Sequence, residues 1–136
     1  MHVYTVTPNF ALELAARYAT PENPEDYDLS LVEGIIIGSE PVTKPSVDAF
    51  LEAFEPSGLD RLTLRPSYGL AEATLIVSTP QNKDRPRFAF FDRNELANGK
   101  AVEVGEDAGV AFASNGQPVQ WQHFAIVDPE TKNELP

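Results

Sequence analysis

The chain contains no cysteine. That absence excludes disulfides, thiol nucleophiles, iron–sulfur clusters and zinc–thiolate sites, and it fits a reducing, cytoplasmic setting. Histidine is scarce, with His2 and His123 the only copies. Two imidazoles without cysteine do not suggest zinc, and no serine sits in the strand–turn motif that would point to a Ser/His triad. Positive charge is in deficit: 10 Lys and Arg against 21 Asp and Glu leave a net charge of −11. Such a balance argues against nucleic acid and an anionic membrane surface as partners; its plain reading is solubility. There is no apolar run of membrane-spanning length, and the apolar start "MHVYTV" is too short for a signal peptide. Internal repeats and low-complexity tracts are absent.

What remains is the composition of a globular domain. The 136 residues are 42% hydrophobic, so disorder is not the default. The length suits one domain or part of a larger one, and folded alone it would bury roughly two-thirds of its unfolded surface.

The first eighty residues alternate helix and strand patterns. "TVTPNFALELAARYA" reads as a strand end and a helix capped by Thr7, with Pro8 at the first helical position, where a missing N–H costs nothing. Phe10, Leu14 and Tyr18 recur at spacing four as an expected buried stripe. Ile35–Ile37 form a continuous apolar strand of the kind buried on both faces of a parallel sheet. Thr43 caps the next helix, whose inner positions are Val47, Phe50, Leu51 and Phe54; Asp48, Glu52 and Glu55 face outward, and Pro56 and Gly58 stop it. "LTLRPSYG" and "ATLIVS" read as two further strands. The expected fold is α/β: a layered, mostly parallel sheet with flanking helices, then short strands and a hairpin-like insertion. "TPQNKDRPR" (79–87) is a polar surface excursion. "FAFFD", "KAVEV" and "QHFAIVD" read as short strands, with turns at Asn98-Gly99 and Asn115-Gly116. Asp128-Pro129 looks like a turn whose returning strand is missing, as if a longer protein had been cut there. Trp121 reads as a core or edge aromatic.

In βα architectures ligands gather at the carboxyl ends of strands. Two such ends stand out: Gly38-Ser39-Glu40-Pro41 and Ser67-Tyr68-Gly69-Leu70-Ala71-Glu72. Each joins a glycine, which lets backbone approach a ligand, to a hydroxyl and a carboxylate. Tyr68 offers a flat face for a base. Glu72, the one charge between Pro66 and Pro80, offers a hard oxygen ligand suited to magnesium and, through it, to phosphates. The plainer alternative makes Glu72 a turn cap and Tyr68 a core residue.

These residues carry a resemblance. "PSYGLAEATL" resembles the Tyr-Gly-x-x-Glu signature of the adenylate-forming superfamily in the form typical of fatty acyl-AMP ligases. "GSEPV" is similar to their adenine-side loop, "PNFALELAAR" to the segment preceding it, and "GQPVQWQHFAIVDPET" to the strand region that follows. The four segments keep their order across nearly the whole chain, and the branch they most resemble is the actinobacterial one that activates long acyl chains for mycolic acid assembly. The resemblance implies that Tyr68 stacks on adenine. It places Gly38, Ser39, Glu40 and Pro41 as the other wall, largely through backbone, and Ser67 near the adenine amino group. Gly69 and Leu70 border the junction of acyl chain and phosphate, and Glu72 coordinates Mg2+. Ala71 stands where many relatives carry threonine, which leaves no hydroxyl there for phosphate. Asn9 and Phe10 either line the acyl tunnel or belong to the core.

The resemblance also marks what a complete enzyme needs and this chain lacks: a phosphate loop with its lysine, a Thr-Gly-Asp motif and a C-terminal catalytic lysine. The chain resembles a fragment of the large N-terminal AMP-binding domain: 1–79 the α/β part with the adenine motifs, 80–104 the acyl-AMP-ligase insertion, 105–136 trailing strands. In the family that insertion restrains the mobile C-terminal domain; Arg85, Arg87 and Arg93 could contribute contacts. The expected parent activates a long-chain fatty acid with ATP to acyl-AMP for a carrier protein or polyketide synthase, and the isolated fragment is expected to be inactive. The alternatives are a fragment of an acyl-CoA synthetase and a non-catalytic acidic binding or scaffold domain.

Overall fold

The computed structural model describes residues 2–81 and 85–135. Strand β1 (Val3–Pro8) runs into helix α1 (Asn9–Tyr18), then β2 (Val32–Gly38), helix α2 (Lys44–Phe54) and β3 (Leu64–Pro66). The three strands form one parallel sheet in the order β1-β2-β3, with Val6 opposite Ile36 and Ile36 opposite Arg65. A core of Leu12, Ile35, Ile37, Val47, Phe54 and Leu64 lies between this sheet and the two helices. Its burial follows from the period of two along a strand: Ile35 and Ile37 point toward the helices, and Ile36 points away. The expected α/β layering is therefore present.

Helix α2 follows its sequence pattern closely. The Thr43 hydroxyl accepts from the Ser46 N–H, Val47 and Phe54 are buried, and the chain leaves the helix through a short 3-10 turn to Gly58 at φ 87°. Glu55 pairs with Arg61 at 2.5 Å, which holds the exit in place.

Several expectations need correction. Helix α1 is capped by Pro8, not Thr7, and no side chain of its own flank caps it. Its inward face is Asn9, Leu12 and Ala15, so the stripe of Phe10 (54% exposed), Leu14 and Tyr18 (71%) faces outward. The spacing of four was real, but Leu12 is the large side chain that α1 turns to the core, and Phe10, Leu14 and Tyr18 stay exposed. The other face of the central strand is only partly covered: Ile36 is half-buried, and Val6 beside it is exposed.

"LTLRPSYG" is not one strand. A 3-10 turn at Arg61–Thr63 precedes β3, and Pro66 is its last residue. Strand β4 (Tyr68–Leu70) then belongs to a second, antiparallel sheet with β5 (Leu75–Thr79) and β8 (Gln117–Pro118). Strand β6 (Phe88–Phe91) pairs antiparallel with β7 (Val110–Ala113) as a ribbon; Phe88 and Ala113 at its base pack against the core. "KAVEV" contributes only a single bridge from Glu103 to Phe91. Between them lies helix α3 (Arg93–Ala97), unforeseen, capped by Asp92, whose carboxylate accepts from Asn94 and Glu95 N–H. Asn98-Gly99 closes that helix rather than a strand pair.

At the far end, "QHFAIVD" is not a strand. The turn at Asp128 does have a return: Val127 bridges Glu134, and Leu135 N–H bonds to Ile126 C=O. Trp121 is neither core nor edge, being almost fully exposed at φ 71°. His2 lies 2.5 Å from the Glu33 carboxylate. The middle of the polar excursion, 82–84, lies outside the described residues.

Candidate functional site

The two motif loops meet at the carboxyl edge of the parallel sheet. Ser67 N–H donates to Ile37 C=O at 2.8 Å, which extends the β2–β3 ladder by one bond and seats Ser67 beside Gly38. A Cβ on Gly38 would come within 3.2 Å of the Ser67 carbonyl oxygen, so the two backbones lie in contact. The Ser67 hydroxyl donates to its own strand or to Thr79 Oγ1, 2.8 Å away on β5, tying the parallel sheet to the antiparallel one.

A cavity of about 460 Å³ opens at this junction. Glu40, Pro41 and Ser67 line one side, and Phe112, Ala113 and Asn115 line the other. The second group had been placed among trailing strands. No signal in sequence could have found it, because the ribbon returns to the loop from more than seventy residues away.

Tyr68 is 51% exposed at the start of β4, so the core alternative for it fails. Gly69 is required by the hairpin itself: a Cβ there would meet the Leu75 carbonyl oxygen at 1.8 Å. Leu70 ends the strand, and Ala71 and Glu72 stand on a 3-10 turn, Ala71–Ala73, that leads to β5. The segment expected at a strand's carboxyl end thus forms one side and the tip of a β-hairpin. Glu72 is exposed and makes no hydrogen bond or ion pair among the described residues, so it does not cap its turn. Tyr68 to Glu72 do not line the cavity; they form a projecting arm next to it.

Uncommon backbone gathers at or just beyond both loops. Of the five non-glycine residues with positive φ among the described residues, Ser39 (67°) lies in the first loop, and Thr74 (56°) and Leu75 (87°) follow the second, at the hairpin tip and the start of β5. A β-branched residue such as Thr74 in the left-handed region is costly, on the order of 1–3 kcal/mol, and such outliers concentrate where geometry serves a ligand.

Glu40, expected to act largely through backbone, is also engaged through its side chain, and Asn9 takes the core alternative. The Glu40 carboxylate accepts the Phe10 N–H at 2.6 Å. Asn9 is buried between the helices, its carbonyl accepting from Thr43 N–H at 3.0 Å and its amide donating to Ser46 Oγ at 3.1 Å. Lys44, at the head of α2, bridges Asp48 (2.7 Å) and Glu106 (3.2 Å); the hydrogen bonds it donates to Asp48 and then Glu106 hold its ammonium above the usual lysine range.

A three-strand parallel sheet with two packed helices, followed by an antiparallel arm carrying Tyr-Gly-x-x-Glu, matches a subdomain of solved fatty acyl-adenylate ligases. The relatives narrow the class. The chain is 46% identical over 136 residues to the long-chain-fatty-acid–AMP ligase FadD32 of Mycobacterium marinum, a match covering 98% of this chain and 22% of that protein. It is 41% identical over 133 residues to a Mycobacterium tuberculosis protein provisionally named as a fatty-acid–CoA ligase, fadD25, covering 98% of this chain and 23% of that one. The crystal structure of the fatty acyl-adenylate ligase of L. pneumophila with acyl adenylate and pyrophosphate superposes with a TM-score of 0.87 at 26% identity, over 98% of this chain and 23% of that one. No family model matches. From end to end, then, the chain resembles one stretch of the fatty acyl-AMP ligases, and it spans about a fifth of the length of the relatives it matches.

Proposed function

We propose that this chain is the adenine-side portion of a ligase that activates a long-chain fatty acid with ATP, releasing pyrophosphate and leaving acyl-AMP. The observation that carries the reading is the meeting of the 38–41 loop with Ser67 and the Tyr68 arm at the carboxyl edge of the sheet. In this reading Tyr68 supplies one face for the base, and the backbone of Gly38, Ser39, Glu40 and Pro41 the other. Ser67 presents its backbone at the base's edge. Gly69, Leu70 and Ala71 border the phosphate and acyl carboxylate.

Glu72 fits a divalent cation: its carboxylate is exposed and unpartnered, a hard oxygen donor free to exchange water for metal. The described residues hold no cluster of three such donors, so phosphate oxygens and water would complete the shell. Bound there, Mg2+ would neutralise charge on the phosphates. The protein's own share is alignment and preorganised polarity, which act only when the rest of the site closes around the nucleotide.

Residues 80–104 are read as the insertion that disfavours CoA-dependent thioester formation, leaving a carrier-protein or polyketide-synthase thiol as the acyl acceptor. The second reading, an acyl-CoA ligase, is favoured by the name of the fadD25 relative. ATP–pyrophosphate exchange by the full-length protein over a fatty acid panel tests the first step. Adding CoA separates the two readings: acyl-CoA as the main product would discard the acyl-AMP ligase.

A further inference from the structure

The loop from β2 to α2 is fastened to helix α1 at both ends. At its near end Glu40 accepts Phe10 N–H. That N–H is one of the donors left open in the first turn of any helix, and Pro8, the residue at the cap position, has no side chain to satisfy it. Glu40 therefore caps α1 from 30 residues away, and a carboxylate at a helix N-terminus is also the favourable charge there. At the far end, Asn9 accepts from Thr43 N–H and donates to Ser46 Oγ. Ser46 Oγ donates to Glu13 Oε1 at 2.6 Å. With its one proton so committed, Ser46 accepts from Thr43 Oγ1 at 2.5 Å, and every hydrogen has one place to go. Asn9 is 6% exposed and Ser46 1%, so water cannot substitute in this network. Ser39, at φ 67°, lies just ahead of the first fastening, between Glu40 and Gly38, the last residue of β2 paired to β1.

We propose that Glu40 and Asn9 are positioning residues. Their side chains engage α1 and the head of α2, and by doing so fix the backbone of Ser39–Thr43 as a wall for the nucleotide base. This rests on the nucleotide reading above and adds to it a role for two side chains that touch no ligand. A loop held from both sides keeps a strained residue in place without ligand, so binding does not have to order it.

The test uses the full-length ligase carrying this segment, with fatty acid and ATP varied separately. Glu40→Ala and Asn9→Leu should each raise KM for ATP about tenfold, the scale of one lost hydrogen bond to an ordered group, with kcat and KM for fatty acid within about twofold. Glu40→Gln, which keeps an acceptor for Phe10 N–H, should stay within about twofold of the parent in all three. In the isolated chain, Glu40→Ala should shift the Phe10 and Ser39 amide resonances. An unchanged KM for ATP in both Glu40→Ala and Asn9→Leu overturns the proposal. So does a Gln variant as impaired as the Ala variant, or a loss of kcat and both KM values that simply tracks a lower melting temperature. Tyr68→Ala serves as the control. If it raises KM for ATP while the positioning variants do not, only this proposal falls. If it too has no effect, the nucleotide reading falls with it.

Discussion

Glu72 is the residue whose surroundings say least about folding and most about chemistry. It is exposed, on a turn it does not cap, and without a partner among the described residues. Glu72→Gln should therefore leave the melting temperature of the isolated chain within a degree or two, as surface changes of under about 0.5 kcal/mol do. In the full-length ligase the same change should lower adenylation about a hundredfold, the scale seen when an electrostatic stabiliser is removed. Near-normal pyrophosphate exchange would return Glu72 to an ordinary surface position. Leu64 is the opposite case, fully buried at the centre of the core. Leu64→Ala should cost about 2–5 kcal/mol in urea unfolding, and a loss under about 1 kcal/mol would mean the core closes over the gap. The residues legible in sequence were those whose partners are near in the chain, such as Thr43 with Ser46, or whose pattern is regular, such as Ile35, Ile37, Val47 and Phe54. Glu40 and Asn9 were legible as site residues but not in their contacts. Their partners lie thirty or more positions away, and no local rule connects them.

Among the elements, the turn 126–135 responds to acid. Asp128 Oδ1 accepts from the Thr131 N–H at 2.7 Å and the Glu130 N–H at 2.9 Å. These bonds, Thr131's first, hold its carboxyl below the usual aspartate range. A depressed folded pKa means the stabilisation is complete above the unfolded value of about 3.9 and is lost as pH falls through the lower folded one. The Thr131 and Glu130 amide resonances should move together in that acidic window, and Asp128→Asn should abolish the movement. A midpoint at or above the ordinary aspartate value would show the bonds are not formed. The β6–β7 ribbon supports a second experiment. Removing 80–104 whole would strip β7 of its partner and pull Phe88 from the core. Replacing only 93–101, the tip with α3, by a Gly/Ser linker spares the pairing. If the ribbon restrains the C-terminal domain as proposed, adenylation should persist and acyl-CoA should appear when CoA is supplied. A restraint of about 2–3 kcal/mol corresponds to roughly thirty- to a hundred-and-fifty-fold in the population released. A folded, adenylating variant that makes no acyl-CoA removes the restraint from the account. Helix α2 was legible because its cap, stripe and stop all lie within fifteen residues. The orientation of α1 was not, since a spacing of four identifies a stripe without saying which neighbour covers it.

At the scale of the molecule, the isolated chain should show no fatty-acid-dependent ATP–pyrophosphate exchange, because one wall of a site cannot supply the opposing charges. Exchange by a preparation free of other adenylating enzymes would overturn this. The α/β class followed from alternation of patterns, and the resemblance located both motif loops. The split into a parallel and an antiparallel sheet was hidden, because β3 and β4 are three residues each and only Ser67 separates them. That second sheet has one more property. Thr79, where the ribbon departs, is paired directly with Gln117, where it returns. Gly116, at φ 75°, packs so close to Thr79 that a Cβ would lie 2.2 Å from its carbonyl carbon. A segment whose two ends are stitched together at its base behaves as a cassette. Its length enters folding only through loop closure, where doubling costs about 0.6 kcal/mol. The tip near Asn98-Gly99, where a Cβ on Gly99 would meet nothing within 4 Å, is then a port. Evolution could lengthen or trim the ribbon there, and an engineer could graft a reporter, without re-registering a single strand of the sheet beneath.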